Sequence, residues 1–222
     1  MKNNSVRRTD LLSTGDMARF VARGFLRFDG LIPDEINRDF LERIMRDEVR
    51  SHPPGTPLAE CYATCPPIGA LLRLPKVAGM IQSLVGLNPL FDHHAVHHCP
   101  PHQARAQDTH ADSIVDVRST AFDIQLMYYP HEVTASMGGT RYIPGSHFRR
   151  INEMAIARYQ NIAGQQHVVC PAGTLLIMHH GIWHGGGCNR SGESRYMLKI
   201  RLNPTCRQVR LWNTDDLAAL SV

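Results

Sequence analysis

The sequence predicts a mainly β chain: a two-sheet jelly roll, or double-stranded β-helix, with N-terminal helices packed on one sheet. Two observations carry this. From about residue 90 the chain breaks into short β-prone runs separated by Gly, Pro and Asn turns, the texture of antiparallel strands. Before residue 90, apolar residues instead recur at helical spacing.

The elements follow in order. Thr14 is placed to cap a helix over Asp16 to Arg23 that Gly24 stops, and a strand at Phe25 to Phe28 comes next. Pro33 opens a second helix, with Ile36, Phe40, Leu41, Ile44, Met45 and Val49 on one face and His52-Pro53-Pro54-Gly55 closing it. A third helix starts at Pro75, buries Val77, Met80, Ile81, Leu84 and Val85, and ends at Gly86. Strands are expected at Leu90 to His98, Ser119 to Tyr129, Thr140 to Ile143, Gln166 to Cys170, Thr174 to His179 and Ser194 to Leu202. Arg149 to Gln165 reads as an insert between strands. On the last strand, alternation puts Arg195, Lys199 and Arg201 on one face and Tyr196, Leu198, Ile200 and Leu202 on the other. Whether the apolar face lies under the helices or a bulge resets the register is left open by pattern alone.

A length of 222 residues suits one domain: a mostly helical flank over 1–89, a jelly-roll core over 90–204 and a tail over 205–222. The hydrophobic share of 43% and charged share of 20% are those of an ordinary globular protein. No run approaches the ~18 apolar residues of a membrane span, and the polar start lacks a secretory core, so a cytosolic location is expected. The six cysteines form no Cys-x-x-Cys pair and read as reduced. The net charge of +4 is spread along the chain instead of forming a basic stripe, which argues against a nucleic-acid partner. Oligomeric state is not encoded in any pattern.

Chemistry enters at His110-Ala111-Asp112. Residues i and i+2 of a strand share a face, so an imidazole and a carboxylate could meet one metal ion. With 13 His in the chain, the pair alone is a weak signal. Further on come Pro144-Gly145-Ser146-His147, then His184-Gly185-Gly186-Gly187-Cys188-Asn189-Arg190-Ser191, and Arg195 eleven residues after His184. A third ligand from this region would complete two His and one carboxylate on one face of an iron, leaving three positions for chemistry. The glycines would let the backbone approach the metal, and the Arg195 fork could hold a carboxylate.

Together with Gly24-Phe25, Leu31-Ile32-Pro33 and Gly139-Thr140-x-x-Ile143, these motifs make the chain resemble the phytanoyl-CoA dioxygenase-like family of iron(II)/2-oxoglutarate oxygenases, from about Phe20 to Pro204. The resemblance implies that His110, Asp112 and His184 bind Fe(II), that Arg195 pairs with the distal carboxylate of 2-oxoglutarate, and that Thr140 is a second cosubstrate contact. It also implies O2 as cosubstrate and oxidation of a small molecule, with release of succinate and CO2. Thr109 stands where family members often carry Trp. Asp112 argues against the halogenases of this superfamily, in which a small residue vacates that position.

Other readings compete at single positions. His179 and His180 lie near His184, but the family spacing selects His184 and leaves those two as strand residues, one buried and one exposed. His93-His94-x-x-His97-His98 with Cys99 suggests zinc, yet a strand would split these side chains between two faces. His94, His98 or His102 could line a substrate pocket instead. Arg149 and Arg150 would suit an acidic substrate, while a solvated loop is the plainer reading. Substrate loops are expected at Cys61 to Ala70, Gln103 to Thr109 and Arg149 to Gln165. The alternatives to the oxygenase are a cupin-like metal-binding jelly roll that does not use 2-oxoglutarate and a scaffold without catalysis. Arg195 separates the first, since such a cupin needs no carboxylate fork there.

Overall fold

The computed structural model describes residues 6–49, 55–57, 59–60, 66–112, 123–148, 162–204 and 211–219. Helix α1 (Thr14–Arg23) begins two residues earlier than expected, and its cap one residue earlier. Ser13, not Thr14, is the cap: its hydroxyl accepts from the Asp16 amide, and the Asp16 side chain returns a bond to the Ser13 amide. Gly24 ends the helix at φ 77, where a Cβ would lie 2.5 Å from both Ile182 and His147, so only glycine turns the chain directly into β1 (Phe25–Phe28).

Helix α2 (Asp34–Met45) stops short of the expected His52, and Met45 is exposed. Helix α3 (Pro66–Leu72) was not expected, because Pro66-Pro67 reads as a break; prolines are tolerated in a first turn, where no amide donor is required. Its Ile68, Leu71 and Leu72 are fully buried, so the described part of the anticipated Cys61 to Ala70 loop is core packing and not a pocket rim. Helix α4 (Pro75–Val85) forms as the pattern indicates. No single helix among the described residues is long and apolar enough to cross a membrane.

The strands are β2 (Thr56–Pro57), β3 (Leu90–Cys99), β4 (Ile124–Tyr129), β5 (Thr140–Tyr142), β6 (Gln166–His167), β7 (Thr174–His179), β8 (His184–Gly186) and β9 (Arg195–Asn203). They build a six-stranded sheet in the order β1-β7-β4-β9-β3-β2 and a three-stranded sheet in the order β6-β5-β8, with every named pairing antiparallel: the two sheets of a jelly roll. The expected Gln166 to Cys170 strand shrinks to two residues, with Cys170 making only an isolated bridge to Val133. Strand β8 had no signal beyond its glycines. Ser119 to Phe122 and Arg149 to Asn161 lie outside the described residues.

Alternation along the central strands divides the molecule. Leu126 and Tyr128 of β4, Leu175 and Ile177 of β7, and Leu198, Ile200 and Leu202 of β9 pack outward under Phe20, Phe40, Leu71, Met80 and Leu84 of the helices. This answers the register question: the apolar face of β9 lies under the helices and no bulge intervenes in β9's pairing with β4. Inward, Phe25, Met127, Tyr129, Leu176, Met178 and Met197 meet Met137, Tyr142 and Ile182 between the sheets. Polar ties fix the helices. The Tyr128 hydroxyl donates to Asn37 Oδ1 at 2.6 Å, and Asn37 Nδ2 donates to the Ile32 carbonyl. Asp216 accepts from the Thr14 and Gly15 amides, placing a carboxylate at the N-terminus of α1.

Leu198 is fully buried at the centre of the outer core. Leu198→Ala should lower unfolding free energy by about 2–5 kcal/mol in a denaturant titration. A loss below about 1 kcal/mol would contradict the packing described.

Candidate active site

The ligand-bearing segments are joined by backbone hydrogen bonds. His110 and His184 form an isolated antiparallel bridge: the His110 amide donates to the His184 carbonyl at 2.9 Å and the His184 amide returns the bond at 2.8 Å. The Asp112 amide donates to the His180 carbonyl at 3.0 Å. His110 and Asp112 therefore do not sit on a regular strand. Their shared face comes from anchorage at two points on the turn that ends in His184.

Each ring is set by a carbonyl. His110 Nδ1 lies 2.9 Å from the Asp108 oxygen and His184 Nδ1 2.9 Å from the Ile182 oxygen. A carbonyl only accepts, so both Nδ1 atoms carry the proton and both Nε2 atoms present a lone pair. Ligand atoms of His110, Asp112 and His184 all lie within 4.8 Å of one another, and among the described residues no other His, Cys, Asp or Glu group could hold a metal ion. Asp112 Oδ1 accepts from Lys199 Nζ at 3.2 Å, whereas Oδ2 is buried without a hydrogen-bond partner, 3.6 Å from His184 Nε2. Burial pushes the Asp112 carboxyl up, but His184, Lys199, Arg201 and His110 together outweigh it and hold it at about 2. Burial pushes His184 down to about 4 against the attraction of Asp112. At neutral pH the cluster is thus an anionic carboxylate beside a neutral imidazole, as metal ligation requires.

Arg195 sits on the same inner surface, 4% exposed. Its Nε donates to the Met137 carbonyl at 3.2 Å, and no carboxylate among the described residues pairs with it. Arg201, six residues further along the same face, is held by Asp92 at 3.2 Å and by the His180 ring. Arg195 and Thr140 both border a cavity of about 190 Å³ that also reaches His110, His184 and Lys199. Thr140 Oγ1 accepts from the buried Tyr129 hydroxyl at 2.9 Å, which leaves the threonine proton free.

The neighbouring motifs fasten this frame. Ser146 donates to the Ile143 carbonyl and accepts from the Trp183 amide, so the Pro-Gly-Ser-His turn holds the residue before His184, while His147 donates to the Val21 carbonyl. Asn189 Nδ2 donates to the carbonyls of Cys99, Pro100 and Glu193, fixing the approach to Arg195. The glycines after His184 admit other chain segments, not a metal. A Cβ on Gly185 would lie 2.9 Å from the Asp108 oxygen, and one on Gly187 2.8 Å from the Gly138 oxygen.

One expectation fails and one holds only for His98. His179 and His180 are both buried, because the turn folds inward to reach Asp112; His180 Nε2 donates to the Ile124 carbonyl. Of the β3 histidines, His97 rather than His94 shares the inner face with Arg195 and Lys199, since the strand registers Cys99 with Arg195 and His97 with Met197. His98 borders the cavity, but its ring stacks on Tyr196 at 4.6 Å and bonds Ser194, and His102 is exposed in a turn at φ 57. Lys199 and His97 had only their place in the alternation as a signal.

A jelly roll with two histidines lining one cavity, an aspartate grouped with them and a buried guanidinium on the same cavity has the make-up of the non-haem iron oxygenases that use 2-oxoglutarate. The chain belongs to the phytanoyl-CoA dioxygenase (PhyH) family, which matches residues 24–197. It is accordingly an iron(II)- and 2-oxoglutarate-dependent oxygenase acting on a small molecule. No curated protein sequence matches the chain. Among solved structures, the fold is similar to apo HygX from Streptomyces hygroscopicus at 15% identity, covering 93% of this chain and 94% of that one with a TM-score of 0.68. It is similar to SnoK, a non-haem α-ketoglutarate-dependent carbocyclase from nogalamycin biosynthesis, at 16% identity, 98% and 94% coverage and a TM-score of 0.69. EctD from S. alaskensis, solved with 2-oxoglutarate and 5-hydroxyectoine, matches at 17% identity, 91% and 80% coverage and a TM-score of 0.70.

Burial also holds His180 down, to about 3, with Arg201 adding to it. An unfolded histidine takes its proton near pH 6.5, so His180 and His184 contribute stability above that pH and lose it as pH falls toward 3 to 4. Metal-free protein in chelator should therefore lose about 4 kcal/mol of unfolding free energy between pH 7 and pH 5, about 2 for each of these two rings, and His180→Gln should lose about half as much. A flat profile over that range would contradict the burial of these rings.

Proposed function

We propose that His110, Asp112 and His184 hold the iron, that Arg195 pairs with the far carboxylate of 2-oxoglutarate, and that Thr140 gives the cosubstrate a second contact. The observation that carries this is a complementary pair of unmet needs among the described residues: Asp112 Oδ2 is buried without a donor beside the two cavity-lining histidines, and Arg195 borders that cavity without an anion. Either would be costly to bury unless a ligand completed it. Two imidazole nitrogens and one carboxylate oxygen fit iron(II) and leave positions for a chelating keto acid. Iron held there supplies, with 2-oxoglutarate and O2, the oxidative decarboxylation that yields succinate and CO2 and the oxidation of a substrate C–H bond.

The chain's own residues hold and orient. The carbonyls of Asp108 and Ile182 keep both rings in the ligating tautomer, and Lys199 takes Asp112 Oδ1 so that Oδ2 faces the metal position. A metal-binding jelly roll that does not use 2-oxoglutarate gives Arg195 nothing to hold. The substrate is read as a small organic molecule; an acidic group on it would suit Arg149 and Arg150, which lie outside the described residues. The proposal assigns no role to nucleic acid, treats the chain as one domain and places the enzyme in the cytosol, in keeping with the free thiols of Cys99, Cys170 and Cys188.

Anaerobic titration with Fe(II) and 2-oxoglutarate should give the visible charge-transfer band of the chelate; its absence would remove the reading. Asp112→Ala and His184→Ala should abolish succinate release. Arg195→Ala should raise the Kd for 2-oxoglutarate about thirtyfold or more, as for loss of a buried charge partner. Arg201→Ala should leave that Kd unchanged because Asp92 already occupies it, and the reverse pattern would show that the register of β9 had been misassigned.

A further inference from the structure

One polar group on the cavity wall is not used by these contacts. His97 lies on the inner face of β3 with its Cα paired to Met197, so Arg195 and Lys199 flank it two residues to either side on β9. Its ring lines the cavity, and its Nε2 is buried without a hydrogen-bond partner. Buried ring nitrogens are normally bonded, and a persistent exception beside a ligand cavity points to a partner supplied by the ligand. Burial, then the positive charges of Lys199 and Arg195, hold the imidazole down to about 4. The ring is therefore neutral at physiological pH, with one N–H to offer and no third positive charge added to the wall.

We propose that His97 is a further cosubstrate-binding residue, its Nε2–H donating to the carboxylate of 2-oxoglutarate that Arg195 holds. The inference rests on the assignment of the cosubstrate to this cavity. Its position follows from the sheet: a keto acid reaching from the Asp112 and His184 end, where Lys199 sits, to Arg195 must pass over the Met197 and His97 pair between them. A neutral donor there adds direction to a contact that Arg195 supplies mainly as charge.

The test uses the full chain loaded anaerobically with Fe(II), titrated with 2-oxoglutarate and, separately, with 2-oxobutyrate, which keeps the keto-acid end and lacks the far carboxylate. Binding is followed by the visible band, and the affinity for Co(II) alone is measured alongside. His97→Phe should raise the Kd for 2-oxoglutarate about tenfold, the loss of one hydrogen bond to a charged group, and leave 2-oxobutyrate and Co(II) affinities unchanged. His97→Gln, which keeps an N–H donor, should stay within about threefold of the parent. Should the phenylalanine variant fail to fold by thermal melting, His97→Ala is read in its place. Unchanged 2-oxoglutarate affinity in the folded variant would overturn the proposal. So would equal weakening of both acids, which would move the contact to the metal end. If the parent enzyme shows no 2-oxoglutarate band, the assignment of the cosubstrate falls; if only the His97 variants bind like the parent, that assignment stands and the role of His97 alone is removed.

Discussion

The site depends on the reciprocal hydrogen bonds between the His110 and His184 backbones. Together with the two-way pair of Gln107 and Gly186, whose amide donates to Gln107 Oε1, they fasten the segment carrying His110 and Asp112 to the strand carrying His184. Because the His110 and His184 pair is antiparallel and directly opposed, the two rings end on one side with centroids 4.4 Å apart. The Asp112 amide bond to His180 then supplies the second point needed to define an orientation. Iron sites need ligand positions set to a fraction of an ångström, and backbone bonds provide this better than side-chain packing because they bear no rotamer freedom. Around the bridge, Ser146 holds Trp183 and Asn189 holds the loop leading into Arg195, so the Arg195 side of the cavity is tied to the His110 and His184 side through a few buried polar hubs.

That organisation explains where stability is given up. Among the described residues, a buried guanidinium without an acid and a carboxylate oxygen without a donor both disfavour the fold. The outer face of the sheet offsets them, with Phe20, Phe40, Leu71, Leu84, Leu198 and Ile200 at or below 1% exposure. The two faces of β9 thus divide the work, one holding the helices and the other carrying cations that the core cannot satisfy.

Much of this was legible in the sequence for identifiable reasons. Strand β7 was found to the residue because the apolar run Leu175 to Met178, led by Thr174, lies between Pro171-Ala172-Gly173 and the turn at Gly181. The inner and outer faces of β9 followed from period-two alternation, and the order and spacing of motifs singled out His110, Asp112 and His184, which the fold brings together. What was missed is what local pattern does not encode. Strand β8 is three residues long and contains two glycines, so it has no apolar signature, and α3 hides behind a proline pair. The choice of His97 over His94 turned on one residue of register, set by pairing with a strand about a hundred residues away. The meaning of the glycines after His184 needed the facing segments, since a missing Cβ does not reveal what it makes room for.

Arg195, Lys199 and Arg201 show how three similar charges on one face acquire different roles. Their spacing along β9 makes them equivalent in pattern, and all three are wholly or largely withdrawn from solvent. Their partners differ: Asp92 pairs with Arg201, Asp112 gives one oxygen to Lys199, and Arg195 faces the cavity with only a carbonyl. A guanidinium already forked onto a carboxylate has little left for a ligand, and an ammonium bound to a metal's carboxylate orients that ligand. The placement of the acids, more than that of the cations, therefore decides which positive charge is open to an incoming anion.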